Sequence, residues 1–134
     1  MLLKIEHVGI AVNDLEKSNL LYTALLGIKP YKTEIVEQEG VNVSFFTTGE
    51  SKIELLQATN ENSPIAKFIA KKGEGIHHLA FAVEDIVASM AELKKSGFEL
   101  LSDTPKRGAD NKLICFLHPK TTNGVLIELC QEIV

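Results

Sequence analysis

Near the start of the chain, apolar and small or polar side chains alternate. Val8, Ile10 and Val12 fall on one face of an extended segment, and His7, Gly9 and Ala11 on the other. The same alternation returns 71 residues later: Leu79, Phe81 and Val83 share one face, His78, Ala80 and Ala82 the other. Ile5/Ile76, His7/His78, Ala11/Ala82, Val12/Val83 and Asp14/Asp85 are identical pairs at that offset. The chain is thus an internal repeat. Its strands present a core face of large aliphatic groups and a second face on which each histidine sits beside the smallest side chains, leaving room for something that is not protein.

The elements follow from this pattern. Residues 3–12 form a strand, and Asp14 takes the N-cap position of a helix with Leu15, Tyr22 and Leu26 on one face, closed by Gly27. Strands are expected over 29–36, 41–48 and 52–57. Ser63-Pro64 opens a connecting helix to Lys71, with Ser63 as cap and Pro64 at the first helical position. The second copy then runs as a strand over 76–83 and a helix from Asp85 to Ser96, with Ile86, Met90 and Leu93 on its apolar face and Gly97 as its stop. Strands over 98–101, 112–117 and 125–130 follow, with residues 103–111 as a long loop. Each half therefore reads as strand, helix and three strands: module 1 over about 1–58, a linker helix over about 63–72 and module 2 over about 75–134 of one domain.

A length of 134 residues with 45% hydrophobic content suits one domain with a real core. The net charge of −4 excludes a protein that binds nucleic acid by neutralising phosphates. Cationic groups nevertheless gather in the second half, at Lys67, Lys71, Lys72, Lys106, Arg107, Lys112 and Lys120, where an anionic ligand would be met. Cys115 and Cys130 form no CxxC motif, and neither a secretory leader nor an apolar run long enough for a membrane span is present, so a reduced, cytoplasmic protein is expected.

The chemistry lies in a second repeat. Ile53-Glu54-Leu55 returns as Ile127-Glu128-Leu129, 74 residues on. A mid-strand carboxylate between apolar neighbours is costly to bury unless something pairs with it, and here one recurs at the same place in both halves. Two imidazoles and two carboxylates, His7, Glu54, His78 and Glu128, suit one divalent ion of the Mn, Fe, Co, Ni or Zn group that keeps open positions for a substrate oxygen or water. His77 faces the other way by parity and is left out of this set.

At these residues the chain resembles the vicinal oxygen chelate (glyoxalase/bleomycin resistance/dioxygenase) superfamily. Within it, the chain resembles the methylmalonyl-CoA epimerase family along essentially its whole length. The carriers are His7 to Val12, Glu54-Leu55-Leu56, Ser63 to Phe68, Gly73 to His78 and, most specifically, the run from Phe116 to Leu129 that contains His118-Pro119-Lys120-Thr121-Thr122-Asn123-Gly124. The resemblance implies an α+β fold of two tandem βαβββ modules forming one curved mixed sheet around a metal-binding cleft, and a homodimer. It also implies a cobalt-type divalent ion on His7, Glu54, His78 and Glu128, and epimerisation of methylmalonyl-CoA, with His118, Lys120 and Asn123 at the substrate. One acid/base group is then Glu128. The family places the other in a Glu-Gln-Gly-Val segment; this chain reads Glu37-Gln38-Glu39-Gly40-Val41, which leaves Glu37 or Glu39 for the role.

Three rivals share the fold. Glyoxalase I in its bacterial form uses the same metal set but usually carries an arginine four residues after the first histidine, where this chain has Ala11. An extradiol dioxygenase needs only two histidines and one carboxylate. A drug-sequestering protein of this fold lacks the metal set.

Overall fold

In the computed structural model, which describes residues 2–134, the capping residues fall where the alternation puts them. Strand β1 (Leu2–Ala11) leads to Asp14, whose side chain accepts the Lys17 N–H at 3.1 Å and starts helix α1 (Leu15–Leu26). Strand β5 (Gly75–Val83) leads to Asp85, which accepts the Ala88 N–H at 3.1 Å and starts helix α3 (Ile86–Lys95). Between them, Ser63 caps helix α2 (Pro64–Lys72) by accepting the Ala66 N–H at 3.1 Å, with Pro64 at the first helical position. Gly27 ends α1 in the left-handed region, at a φ of 73°.

The chain forms two compact units. One is His7–His77, and the other is His78–Val134 taken with the residues before His7. In the first unit, strands β2 (Lys32–Val36), β3 (Val41–Thr48) and β4 (Ser51–Ala58) follow α1, and the hydrogen-bonded order is β2-β3-β4-β1. The β1·β4 pair is parallel and the other two are antiparallel. Val12, Leu15, Phe46 and Leu55 form its core, with Ile10, Tyr22, Leu26 and Ile53 packed against them. This is the apolar face expected of α1 and the strands.

The second unit repeats the plan with β6 (Lys106–Gly108), β7 (Lys112–Leu117) and β8 (Ile127–Glu132) in the order β5-β8-β7-β6. Again the first pair, β5·β8, is parallel and the rest antiparallel. Val83, Ile86, Met90, Cys115 and Leu129 form the core, with Phe81, Leu93, Leu100 and Leu113 against it.

The strand expected over 98–101 does not form. The Phe98 N–H donates to Leu93 O at the helix end and the Glu99 N–H to Thr121 Oγ1, which leaves a single bridge, Leu100 to Leu117. The third strand of this half is β6, inside the segment expected to be loop. Two residues in the left-handed region, Asp110 (φ 57°) and Asn111 (φ 55°), turn the chain back on itself. Gly108 then lies so close to Ile114 that a Cβ would stand 2.7 Å from its Cδ1. Strand β2 begins three residues later than expected, at Lys32, after Pro30, which has no N–H to give to a ladder. Strand β8 begins at Ile127 because the Val125 N–H is still engaged in a turn with Thr122 O.

Candidate functional site

His7 and Glu54 sit on adjacent parallel strands, with Gly9 level with Glu54. They share a sheet face, His7 lying two residues before the position opposite the carboxylate. His7 Nδ1 is 3.1 Å from Glu54 Oε2. In the other unit the same construction returns: Ala80 is level with Glu128, and His78 Nε2 is 3.1 Å from Glu128 Oε1. The small residues of the repeat, Gly9 and Ala80, are those opposite the carboxylates. Phe45 and Phe116 flank Glu54 and Glu128 from the next strand over, so each carboxylate lies between a small residue and an aromatic one. The Phe116 ring meets His78 edge-on, with centroids 6.0 Å apart.

All four polar groups are deeply buried: His7 is 4% exposed, and Glu54, His78 and Glu128 are each 6% exposed. A carboxylate taken out of water costs several kcal/mol, and one neighbouring imidazole offsets that fully only when protonated. A divalent cation resolves this without a proton, and within each unit the buried pair, His7 with Glu54 and His78 with Glu128, offers an imidazole nitrogen and a carboxylate oxygen as ligand atoms. Nitrogen and carboxylate donors fit the Mn-to-Zn group of ions. The residues present therefore fit the expected cofactor.

The two candidates for a second base occupy a short 3-10 turn, Glu37–Glu39, between β2 and β3. Glu37 is exposed and Glu39 half-buried. His118, Lys120 and Asn123 are spent largely on the fold of their own segment. His118 Nδ1 accepts the Lys120 backbone N–H at 3.0 Å, at the start of a 3-10 turn over Pro119–Thr121. The Lys120 ammonium is 2.7 Å from Glu99 Oε1 and holds that carboxyl below its ordinary value. Asn123 takes the left-handed conformation, φ 57°, that lets the chain enter β8. His77 packs edge-on against Phe68, with centroids 5.0 Å apart, away from the ligand set.

Alternation alone did not flag two buried charges, Glu6 (5% exposed) and Lys112 (6% exposed). Lys112 stands 3.9 Å from Asp110 in the β6–β7 turn and 3.9 Å from Glu132 on β8. Buried charges of this kind carry no signal in a single sequence, because Glu and Lys at strand positions are ordinarily solvated. Among the described residues, no helix is long and apolar enough to cross a membrane.

The fold and these paired donors define a class. Residues 6–116 match the Glyoxalase/Bleomycin resistance protein/Dioxygenase superfamily, and the chain belongs to it. Within that superfamily it is 44% identical to the ethylmalonyl-CoA/methylmalonyl-CoA epimerase of Cereibacter sphaeroides over 133 residues, 98% of this chain and 99% of the relative. A variant methylmalonyl-CoA epimerase of Streptomyces coelicolor, solved in complex with 2-nitronate-propionyl-CoA, is 38% identical; its TM-score is 0.94 over 100% of this chain and 97% of that one. A methylmalonyl-CoA epimerase in complex with methylmalonyl-CoA and NH4+ gives the same identity, TM-score and coverage.

Proposed function

We propose that the chain is a metal-dependent epimerase that interconverts (2R)- and (2S)-methylmalonyl-CoA, with His7, Glu54, His78 and Glu128 converging on one divalent ion. The observation that carries this reading is the duplicated buried His–Glu pair, in a chain so similar to an ethylmalonyl-CoA/methylmalonyl-CoA epimerase over nearly its full length. Cobalt(II) is the ion proposed, with Mn(II), Ni(II), Zn(II) and Fe(II) as alternatives. When bound, it supplies Lewis-acid stabilisation of negative charge developing on oxygen.

The task left to the protein is a proton transfer that changes side. Glu128 accepts the proton from the carbon alpha to the thioester carbonyl, and the C–H electron pair moves into a planar enolate with its charge on the thioester oxygen. Glu37 or Glu39, on the opposite face, delivers a proton to the same carbon, so the product differs from the substrate only in configuration. In the reverse direction the roles exchange. His118, Lys120 and Asn123 are proposed to contact the acyl-CoA.

A homodimer is proposed as the working unit; α1 leaves Leu20, Leu21 and Leu25 exposed, an apolar surface for a second copy. A cytoplasmic location goes with the two free cysteines.

The test is incubation of the metal-loaded protein in D2O, separately with methylmalonyl-CoA and with the hemithioacetal of methylglyoxal and glutathione. Deuterium at the alpha carbon with inversion of configuration is the expected result. Turnover of the hemithioacetal with an inert thioester assigns the chain to glyoxalase I chemistry instead.

A further inference from the structure

Gly40 follows the glutamate turn and precedes β3, in the left-handed region at φ 64° and ψ 38°. Its surroundings exclude a side chain as firmly as its backbone does. A Cβ there would stand 2.7 Å from Ser63 Cβ, 3.2 Å from Asn60 Nδ2 and 3.5 Å from Ser63 Cα. That wall is poorly able to yield. Ser63 is 3% exposed and held as the cap of α2 through its bond from Ala66 N, and Asn60 Oδ1 accepts the Asn62 N–H at 2.9 Å. The Gly40 backbone is tied on both sides, its N–H donating to Glu37 O at 3.0 Å and its carbonyl accepting the Thr59 N–H at 2.9 Å.

The turn that carries both candidate second bases is thus seated against the segment just after β4, the strand that carries Glu54. We infer that Gly40 is a positioning residue for proton transfer: its close approach to Ser63 fixes where the turn glutamate stands, while His7 and Glu54, the proposed metal donors of this unit, stand on β1 and β4. This inference rests on the epimerase reading above. The seam adds a requirement that the glutamates themselves do not express, since a carboxylate displaced by about an ångström loses on the order of 100-fold in rate.

The experiment uses the full-length, metal-loaded protein carrying Gly40→Ala, alone and with Ser63→Gly, which removes the opposing Cβ. Three quantities are read: bound metal, alpha-carbon deuterium exchange against inversion starting from each epimer, and hydrogen-exchange protection of the Thr59 amide. In Gly40→Ala, metal content is expected to stay at the wild-type level. Inversion falls about 10- to 100-fold from both epimers, while exchange without inversion persists from the one epimer whose proton faces Glu128. Thr59 protection drops, and Ser63→Gly restores part of both losses.

Unchanged inversion in Gly40→Ala overturns the inference, and so does an equal loss of exchange and inversion from both epimers that Ser63→Gly fails to rescue. Wild-type protein inert toward both epimers would instead overturn the epimerase reading. Thr59 protection and its rescue would then still decide whether the seam holds the turn.

Discussion

Gln131 Oε1 accepts the backbone N–H of Ile86 at 2.7 Å, and at the matching place in the other unit Gln57 Oε1 accepts that of Leu15 at 2.5 Å. Each glutamine lies three residues beyond a site glutamate on the same strand, so it points to the opposite face, toward the helix. One strand therefore holds a carboxylate on its site face and ties down a helix N-terminus on its core face. The first N–H groups of a helix have no partner within it, which makes this bond the local solution to a general deficit. Gln131→Leu strips Ile86 of its acceptor in a half-buried place and is expected to lower the unfolding free energy by about 1–2 kcal/mol. Gln131→Glu, which keeps an acceptor, is expected to cost less. Urea titration of the two variants decides, and equal stability in both would remove the brace.

Those glutamines also mark where the sequence stops being legible. The histidine and glutamate pairs were readable because duplication and period-two alternation act together: a feature that recurs at the same parity in both halves is hard to attribute to chance. Asp14, Asp85 and Ser63-Pro64 were readable because capping is local, settled within three residues. Gln57 and Gln131 recur just as faithfully, but a strand glutamine has no cost that demands explanation, so its recurrence carries no signal. Strand β6 was hidden for a different reason. Its existence depends on Gly108 lying against Ile114 and on the left-handed pair Asp110 and Asn111, a long-range fit rather than a pattern. Leu100 misled in the opposite sense: its apolarity is spent against the core under α3, and its strand pairing stops at the single bridge to Leu117.

The proposed convergence of both His–Glu pairs predicts a stoichiometry. One equivalent of Co(II) per chain is expected by elemental analysis, with Glu54→Ala and His78→Ala each lowering retention. Chelation leaves two buried carboxylates without a cation, so the melting temperature is expected to fall and to recover on adding metal back. Two ions per chain, or a melting temperature indifferent to chelation together with full activity, would contradict the single shared site.

The choice between Glu37 and Glu39 is a question about one carboxylate. Substituting the true base by glutamine is expected to lower inversion by about 100-fold or more while metal content stays put. The same change in the other glutamate should be nearly silent. Glu37→Gln and Glu39→Gln measured side by side give the assignment, and wild-type rates in both would place the second base elsewhere.

Cys115 is 1% exposed, and burial pushes its thiol up to about 11 from an ordinary 9.0, with Glu128 adding to the shift. Because the folded value lies above the unfolded one, its contribution to stability is fully present below pH 9.0 and is lost as the pH rises through about 11. Cys115→Ala is therefore expected to show a shallower loss of stability across that interval than the wild type. In the native protein the thiol should react slowly with a disulfide reagent at neutral pH and rapidly after unfolding.

Lys120 is proposed to meet the acyl-CoA, yet its ammonium is already committed to Glu99, and the two engagements compete. Glu99 is held below its ordinary 4.5, first by the hydrogen bond from Lys120, which outweighs the opposing effect of desolvation, and further by the charge of Lys120. A depressed carboxyl stabilises the fold above its unfolded value and loses that contribution as the pH falls through the folded one, so the bridge is intact at neutral pH. Both partners are exposed, and the pair's weight in folding is small. Its weight in binding is the sharper prediction. If Lys120 reaches the ligand, Glu99→Gln releases it from a rival carboxylate and should lower the KM for methylmalonyl-CoA with kcat unchanged, whereas Lys120→Ala raises KM. The Glu99 carboxyl, followed by NMR, should then titrate nearer its ordinary value in the ligand complex than in the free protein. An unchanged KM in both variants would confine Lys120 to the structural bridge with Glu99.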